Sequence, residues 1–272
     1  MNIWLGTSGY SYPEWAGGFF PPSLPPARRF QYYSRRFPFV ELNDCLRTVP
    51  TGELFTHYAR MAPEQFRFSV LAPNSVTHEL SYRDLNQFRE AVAELNGMLK
   101  ALIVEFPQTF HHSTAARKWV EIVADTLQPH AVGFEFRHWT WARPDVAPWL
   151  DRLGAFLVAV DVPDLAALYP RGLIRSGRTI YIRMHARNPE VWKRSAKERL
   201  EFDYTEPMLT HWADALTAAA GQCDNAYVIF NNTKDLTGIA NAETLAEMLR
   251  NRPGVKVMEA AGPPLPTQPS LF

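Results

Sequence analysis

VGFEFRH, residues Val132–His138, is an apolar run that closes in charge. Side chains alternate along a strand, so Gly133, Glu135 and Arg137 share one face while Phe134 and Phe136 share the other. Four further segments have the same form: FVELN (Phe39–Asn43), LVAVD (Leu157–Asp161), YIRMH (Tyr181–His185) and YVIFNN (Tyr227–Asn232). Glu41 and Asn43 alternate with Val40 and Leu42, and Tyr181, Arg183 and His185 alternate with Ile182 and Met184. Strands covered by helices turn apolar side chains outward, and α/β proteins collect ligands at the carboxyl ends of their strands. The polar faces are therefore expected to point into the mouth of a barrel.

Outward from this segment, the rhythm repeats along the chain. Strands are expected at Asn2–Gly6, Phe39–Asn43, Phe66–Leu71, Ala101–Phe106, Ala131–Arg137, Phe156–Val160, Thr179–His185 and Ala226–Phe230. Helices are expected near Ala27–Phe37, after Pro50 and Thr51, at Asp84–Leu95, at Ala115–Leu127 behind a Ser113 or Thr114 cap, from Pro144 to Arg152, at Glu206–Ala219 and at Ala242–Arg250. Val162–Arg178 reads as a loop, and Ala186–Asp203 as a charged insertion. Eight βα steps without a break in composition predict an α/β fold, a single TIM-barrel-like (β/α)8 domain over residues 1–261 with an irregular segment after strand six. Residues 262–272, with four prolines, read as a C-terminal tail.

Composition narrows the classes. The 272 residues are 46% hydrophobic and 13% aromatic, enough for one large core. Lys plus Arg equals Asp plus Glu at 28 each, which argues against a broad nucleic-acid surface. Cys45 and Cys223 form no CxxC or zinc pattern and read as reduced thiols of a cytoplasmic protein. MNIWLGTSGYSY lacks the pattern of a signal peptide, and no run approaches 18 apolar residues. A membrane partner is not expected.

The strand ends supply the candidate chemistry. Glu41 and Glu135 can divide acid and base roles across a barrel mouth. Arg137 and Arg183 can clamp a carboxylate, phosphate or sulfate, or else neutralise the carboxylates internally. His185 is favoured over His138 for proton transfer, because His138 falls on the opposite pleat face from Glu135. Asp161 can orient a base. His78 can reach the mouth from the loop after strand three, and Asn43, Asn231 and Asn232 can hold hydroxyls. Tyr10, Tyr12 and Trp15 in the first loop can pack over a ring or brace the loop. No cofactor motif is present; a divalent metal on Glu41, Glu135, Asp161 and His185 is left open without a spacing that marks it.

Taken together, GTSGYSYPEW (Gly6–Trp15), VELN (Val40–Asn43), Thr77–His78, FEFRHWTW (Phe134–Trp141), Asp161, YIRMH and FNN (Phe230–Asn232) make the chain resemble the DUF72 family, the YecE-like proteins, from Ile3 to about Arg250. The resemblance implies a TIM-barrel-like fold, an activity that is not established, and a polar cluster at Glu41, Asn43, His78, Glu135, Arg137, His138, Asp161, Arg183, His185, Asn231 and Asn232. This chain departs from the family pattern in ELNDCLRTVP, where Leu46 and Arg47 replace an aromatic pair. It departs again at Leu71 for a lysine, Glu105 for a glutamine and Ala186 for a glycine. The expected ligand is a small polar or anionic molecule of sugar, sugar-phosphate or nucleotide type, handled by a hydrolase, lyase or isomerase. A nuclease-like enzyme acting on damaged or single-stranded nucleic acid and a non-catalytic ligand- or partner-binding barrel are the alternatives.

Overall fold

The computed structural model describes residues 1–192 and 200–261. Its elements run β1 (Asn2–Thr7), α1 (Arg29–Tyr33), β2 (Phe39–Leu42), α2 (Gly52–Met61), β3 (Arg67–Leu71), α3 (Asn74–Thr77), α4 (Tyr82–Val92), β4 (Leu99–Phe106), α5 (Thr114–Thr126) and β5 (Val132–Phe136). They continue with α6 (Val146–Arg152), β6 (Ala155–Leu157), β7 (Ala159–Asp161), β8 (Thr179–Met184), α7 (Pro189–Trp192), α8 (Glu206–Ala219), β9 (Asn225–Phe230), α9 (Thr237–Arg250) and β10 (Lys256–Val257). The paired strands are parallel and form two sheets, ordered β10-β1-β9-β8-β7 and β2-β3-β4-β5-β6. Parallel strands joined through helices give an α/β, barrel-like topology.

Two seams connect the sheets. At one, β6 and β7 follow each other with only Val158 between them, and its N–H donates to the Phe134 carbonyl at 2.9 Å. At the other, β1 and β2 meet through the bridge between Ser8 and Glu41, reinforced by the Gly9 N–H donating to the Glu41 carbonyl at 2.7 Å. The buried Tyr33 hydroxyl completes this seam. It accepts from the Thr7 N–H at 2.9 Å and donates to the Phe39 carbonyl at 3.1 Å. A β-carbon at Gly6 would stand 2.2 Å from that same carbonyl oxygen, so only glycine lets the strands come this close.

The pleat sorts the core into two layers. Leu102, Val104, Phe134, Phe136, Val228 and Phe230 pack outward with helix residues such as Val120, Trp212 and Leu245. A separate cluster contains Trp4, Phe39, Ile103, Phe156, Tyr181 and Tyr227, contributed by strands of both sheets. Gly133 makes room for it, since a β-carbon there would come 2.4 Å from the Phe156 ring. One pleat further toward the carboxyl ends, the inward positions turn polar at Glu41, Glu105, Glu135 and Arg183. Large apolar rings thus seal the bottom and charge gathers at the top.

Several expected boundaries shift. The sixth expected strand is divided at Val158, where the chain passes from one sheet to the other. The first helix shortens to Arg29–Tyr33 behind a 3₁₀ turn at Pro26–Arg28. The last begins at Thr237, before the expected Ala242, although Gly238 and Asn241 are weak helix formers. Tertiary contacts outweigh propensity: Gly238 lies close against the Asn232 carbonyl, and the buried Asn241 side chain accepts from the Tyr204 N–H at 3.1 Å. β10 is an additional short strand that pairs with β1. No helix forms between β7 and β8. Part of the charged insertion and the expected tail at 262–272 lie outside the described residues. No helix among the described residues is long and apolar enough to cross a membrane.

Candidate functional site

Register creates an electrostatic problem at the top of the strands. Glu105 on β4 is the direct neighbour of Glu135 on β5, on the same inward face. Adjacent like charges on a sheet repel. Two arginines resolve this. Arg137, just past β5, donates to Glu105 at 2.7 and 3.0 Å and pairs with Glu135 at 2.7 Å. Arg183, crossing from β8, donates to Glu135 at 2.7 Å, to Glu105 at 2.5 Å, and to Glu41 at 2.9 and 3.2 Å. Glu41 also accepts from the Tyr181 hydroxyl at 2.8 Å, and that hydroxyl lies 2.7 Å from Ser69 Oγ.

Burial and pairing divide the carboxyl groups. Burial raises the pKa of Glu135, but Arg137, Arg183 and His185 outweigh it and hold Glu135 well below the ordinary carboxylate value. Glu105 follows the same logic; burial and Glu135 raise its pKa, while Arg137 and Arg183 bring it below the ordinary value. Its side chain is 27% exposed, so solvent screens the shift. Glu41 goes the other way: burial raises it, and Arg183, Ser8 and Tyr181 only partly offset the rise. A proton on Glu41 would leave two carboxylates against two guanidinium groups.

His185 stands 3.0 Å from Glu135 Oε1 through Nε2, while Nδ1 lies 2.9 Å from the Asn231 amide nitrogen. Burial and then Arg137 lower its pKa to about 4, against the opposing pull of Glu135. The imidazole is therefore neutral at pH 7, with Nε2–H donating to the ionised Glu135 and Nδ1 accepting from Asn231.

This network floors a cavity of about 620 Å³. Glu105, Arg137, Arg183 and His185 reach its surface, whereas Glu41 and Glu135 lie beneath it. Asn43, His78, Gln108 and Asn231 supply polar walls, and Tyr12, Leu71, Leu168 and Trp192 supply apolar ones. Arg47 lines the cavity from an exposed position and has no ion pair among the described residues. The arrangement can hold hydroxyls through amides, attract an anionic group at Arg47, and exchange a proton at Glu105 or His185.

The expected residues separate into two sets. Glu41, Glu135, Arg137, Arg183, His185 and Asn231 join one network, and Asn43 and His78 line the cavity above it. Asp161 lies apart: Arg187 holds it at 2.6 and 2.7 Å, and Trp212 Nε1 donates to it. Asn232 is buried with its amide donated to Asn241 and the Phe202 carbonyl. Trp15 is fully buried and donates to the Thr233 carbonyl at 3.1 Å, while Tyr10 pairs with Tyr58 at 3.0 Å; both brace the first loop. His138 stacks on His111, with ring centroids 4.0 Å apart.

The four donors considered for a metal do not converge, and no group of three or more His, Cys, Asp or Glu side chains among the described residues is placed to hold an ion. Sequence reasoning marked Arg47, Leu71 and Glu105 as departures from the family pattern, and passed over Gln108 and Trp192. Glu105 carried a usable signal, since it shares the inward pleat with Ala101 and Ile103.

The fold recurs in known proteins. The chain is 22% identical over 273 residues to the UPF0759 protein YunF of Bacillus subtilis (strain 168), covering 91% of this chain and 94% of that protein. The crystal structure of a DUF72 family protein from Thermotoga maritima MSB8 matches with a TM-score of 0.85 at 29% identity, covering 92% of this chain and 100% of the other. A DUF72 family protein from Enterococcus faecalis V583 matches with a TM-score of 0.79 at 20% identity, over 91% and 95% of the two chains. Residues 4–268 match the family described as "Protein of unknown function DUF72", and the chain belongs to that family.

Proposed function

We propose that the two sheets close into one (β/α)8 barrel, and that its mouth binds a small anionic, hydroxyl-rich molecule of sugar or sugar-phosphate type for proton-transfer chemistry. One observation carries the reading: Glu105, Arg137, Arg183 and His185 converge on the floor of a cavity whose walls hold three side-chain amides. Arg47 takes the anionic group, because Arg137 and Arg183 are already engaged by carboxylates. The amides of Asn43, Gln108 and Asn231 hold hydroxyls. Glu105 is the proton acceptor at the cavity surface, with His185 beside it. Glu135 fixes the tautomer and orientation of His185, and Glu41 holds Arg183. This redistributes the roles expected of Glu41 and Glu135, which lack cavity surface.

Titration calorimetry with ribose 5-phosphate, ribose and inorganic phosphate tests the binding. Ribose 5-phosphate is expected to bind at least tenfold more tightly than ribose, with Arg47→Ala removing most of the difference. Equal affinity for both sugars would overturn the anionic-group assignment. Deuterium exchange into the bound sugar phosphate in D2O, lost in Glu105→Gln, tests the proton transfer. A second reading, a non-catalytic binding barrel, draws on the full pairing of the carboxyl groups by arginine; it expects binding without exchange or turnover.

A further inference from the structure

Trp139 is 54% exposed, whereas Trp141, two residues later, is fully buried. Both belong to one 3₁₀ turn, Trp139–Trp141, at the carboxyl end of β5. An exposed tryptophan on a rigid base tied to a cavity wall is a surface for a ring. The base is tied down from several sides. Trp141 stacks on Phe136 with centroids 3.9 Å apart and donates to the Phe110 carbonyl at 2.8 Å. His138 Nδ1 lies 2.9 Å from Thr140 Oγ1, which accepts from the His112 N–H at 3.0 Å. His138 also stacks on His111, so a heteroaromatic stack already stands beside the indole.

The turn is joined directly to the cavity. Trp139 N–H and Gln108 Nε2 both donate to the Ala167 carbonyl, at 3.4 and 3.5 Å, and Gln108 lines the cavity. His138 bridges to Leu168, another lining residue.

We propose that Trp139, with the His111–His138 stack, forms a subsite for a planar heterocycle attached to the sugar phosphate in the cavity, so that the ligand is of nucleoside-monophosphate type. This rests on the cavity reading above. The ring lies on Trp139, the sugar hydroxyls meet the amides of the cavity wall, and the phosphate reaches Arg47. A base stacked on an aromatic side chain adds affinity without sequence-specific hydrogen bonds. The balanced charge of 28 basic and 28 acidic residues favours a single nucleotide over a polymer.

Calorimetry with the four ribonucleoside 5′-monophosphates, ribose 5-phosphate and glucose 6-phosphate tests this on the full chain and on Trp139→Ala and Trp139→Phe. At least one nucleotide is expected to bind about tenfold more tightly than ribose 5-phosphate. Trp139→Ala should remove that advantage, Trp139→Phe should keep most of it, and ribose 5-phosphate binding should be unchanged in both. Trp139 is exposed, so its replacement leaves the core intact, and unchanged circular dichroism checks this. Sugar phosphates binding as well as every nucleotide, or nucleotide binding that ignores Trp139→Ala, overturns the subsite while the cavity reading stands. Absence of binding by all six probes overturns both.

Discussion

His185 Nε2 and Glu135 Oε1 face each other across 3.0 Å; burial keeps the imidazole neutral, while Arg137 and Arg183 keep the carboxylate ionised. The pair lies at the centre of the cluster, where β5 and β8 bring their carboxyl ends to one side of the cavity. Its consequences for stability can be measured separately from activity.

Acid should weaken the fold through His185. Its folded pKa is about 4, against about 6.5 for a free imidazole. Between these values the unfolded chain binds a proton that the folded chain does not, so stability falls as pH drops from about 6.5 toward 4. The loss should reach about 3 kcal/mol in urea titrations and be largely absent in His185→Asn. A variant with the wild-type slope would detach this limb from His185. Glu135 contributes a second limb. Its pKa is depressed, so its stabilisation is present above about pH 4.3 and is lost at still lower pH.

Removing members of the network should cost stability in a set order. Arg183→Leu leaves Glu41, Glu105 and Glu135 without their shared partner, and is expected to cost about 4 kcal/mol or abolish folding. Glu135→Gln should cost about 3 kcal/mol, and Glu41→Gln, replacing the carboxyl whose pKa is raised, about 1 kcal/mol. Urea midpoints measured at pH 7 check the ranking; Glu41→Gln costing as much as Glu135→Gln would mean that Glu41 is ionised.

Ala186 follows His185 with φ at +100°, a region that disfavours a β-carbon. Its N–H donates to the Tyr204 hydroxyl at 3.0 Å, which holds the backbone there. Ala186→Gly should raise stability by about 1 kcal/mol, the relieved strain exceeding the entropy of a more flexible unfolded chain. Thermal melting of the two proteins tests this, and a lower melting temperature would contradict it.

Gly6→Ala should do the opposite at the seam. Its β-carbon would meet the Phe39 carbonyl, a backbone atom that cannot rotate away. A cost of about 3 kcal/mol is expected, with faster amide exchange at Thr7 and Gly9. Unchanged protection at both amides would show that the seam does not depend on this close approach.

Much of the site could be read from alternation within single strands. Glu41, Glu135, Arg183 and His185 were marked by it, and they meet in one network. Alternation also places Asp161 and Asn232 away from the cavity. Asp161 shares a face with Leu157 and Ala159, both in the outer core, and Asn232 shares one with Val228 and Phe230. Their placement away from the cavity follows the same two-residue period that put Asn231 at its edge.

By itself the sequence determined the α/β order, the outer and inner faces of the strands, and the charged character of their carboxyl ends, because side-chain period and hydrophobic pattern are local properties. Only the tertiary structure decided that Glu105 stands beside Glu135, that Arg183 spans three carboxyl groups, and that Glu41 and Glu135 lie under the cavity rather than on it. Those relations depend on register between strands and on contacts between the two sheets, where groups as far apart in the chain as Glu41 and Arg183 become neighbours. Register also sets which charges are buried together, and so which carboxyl has its pKa raised and which lowered.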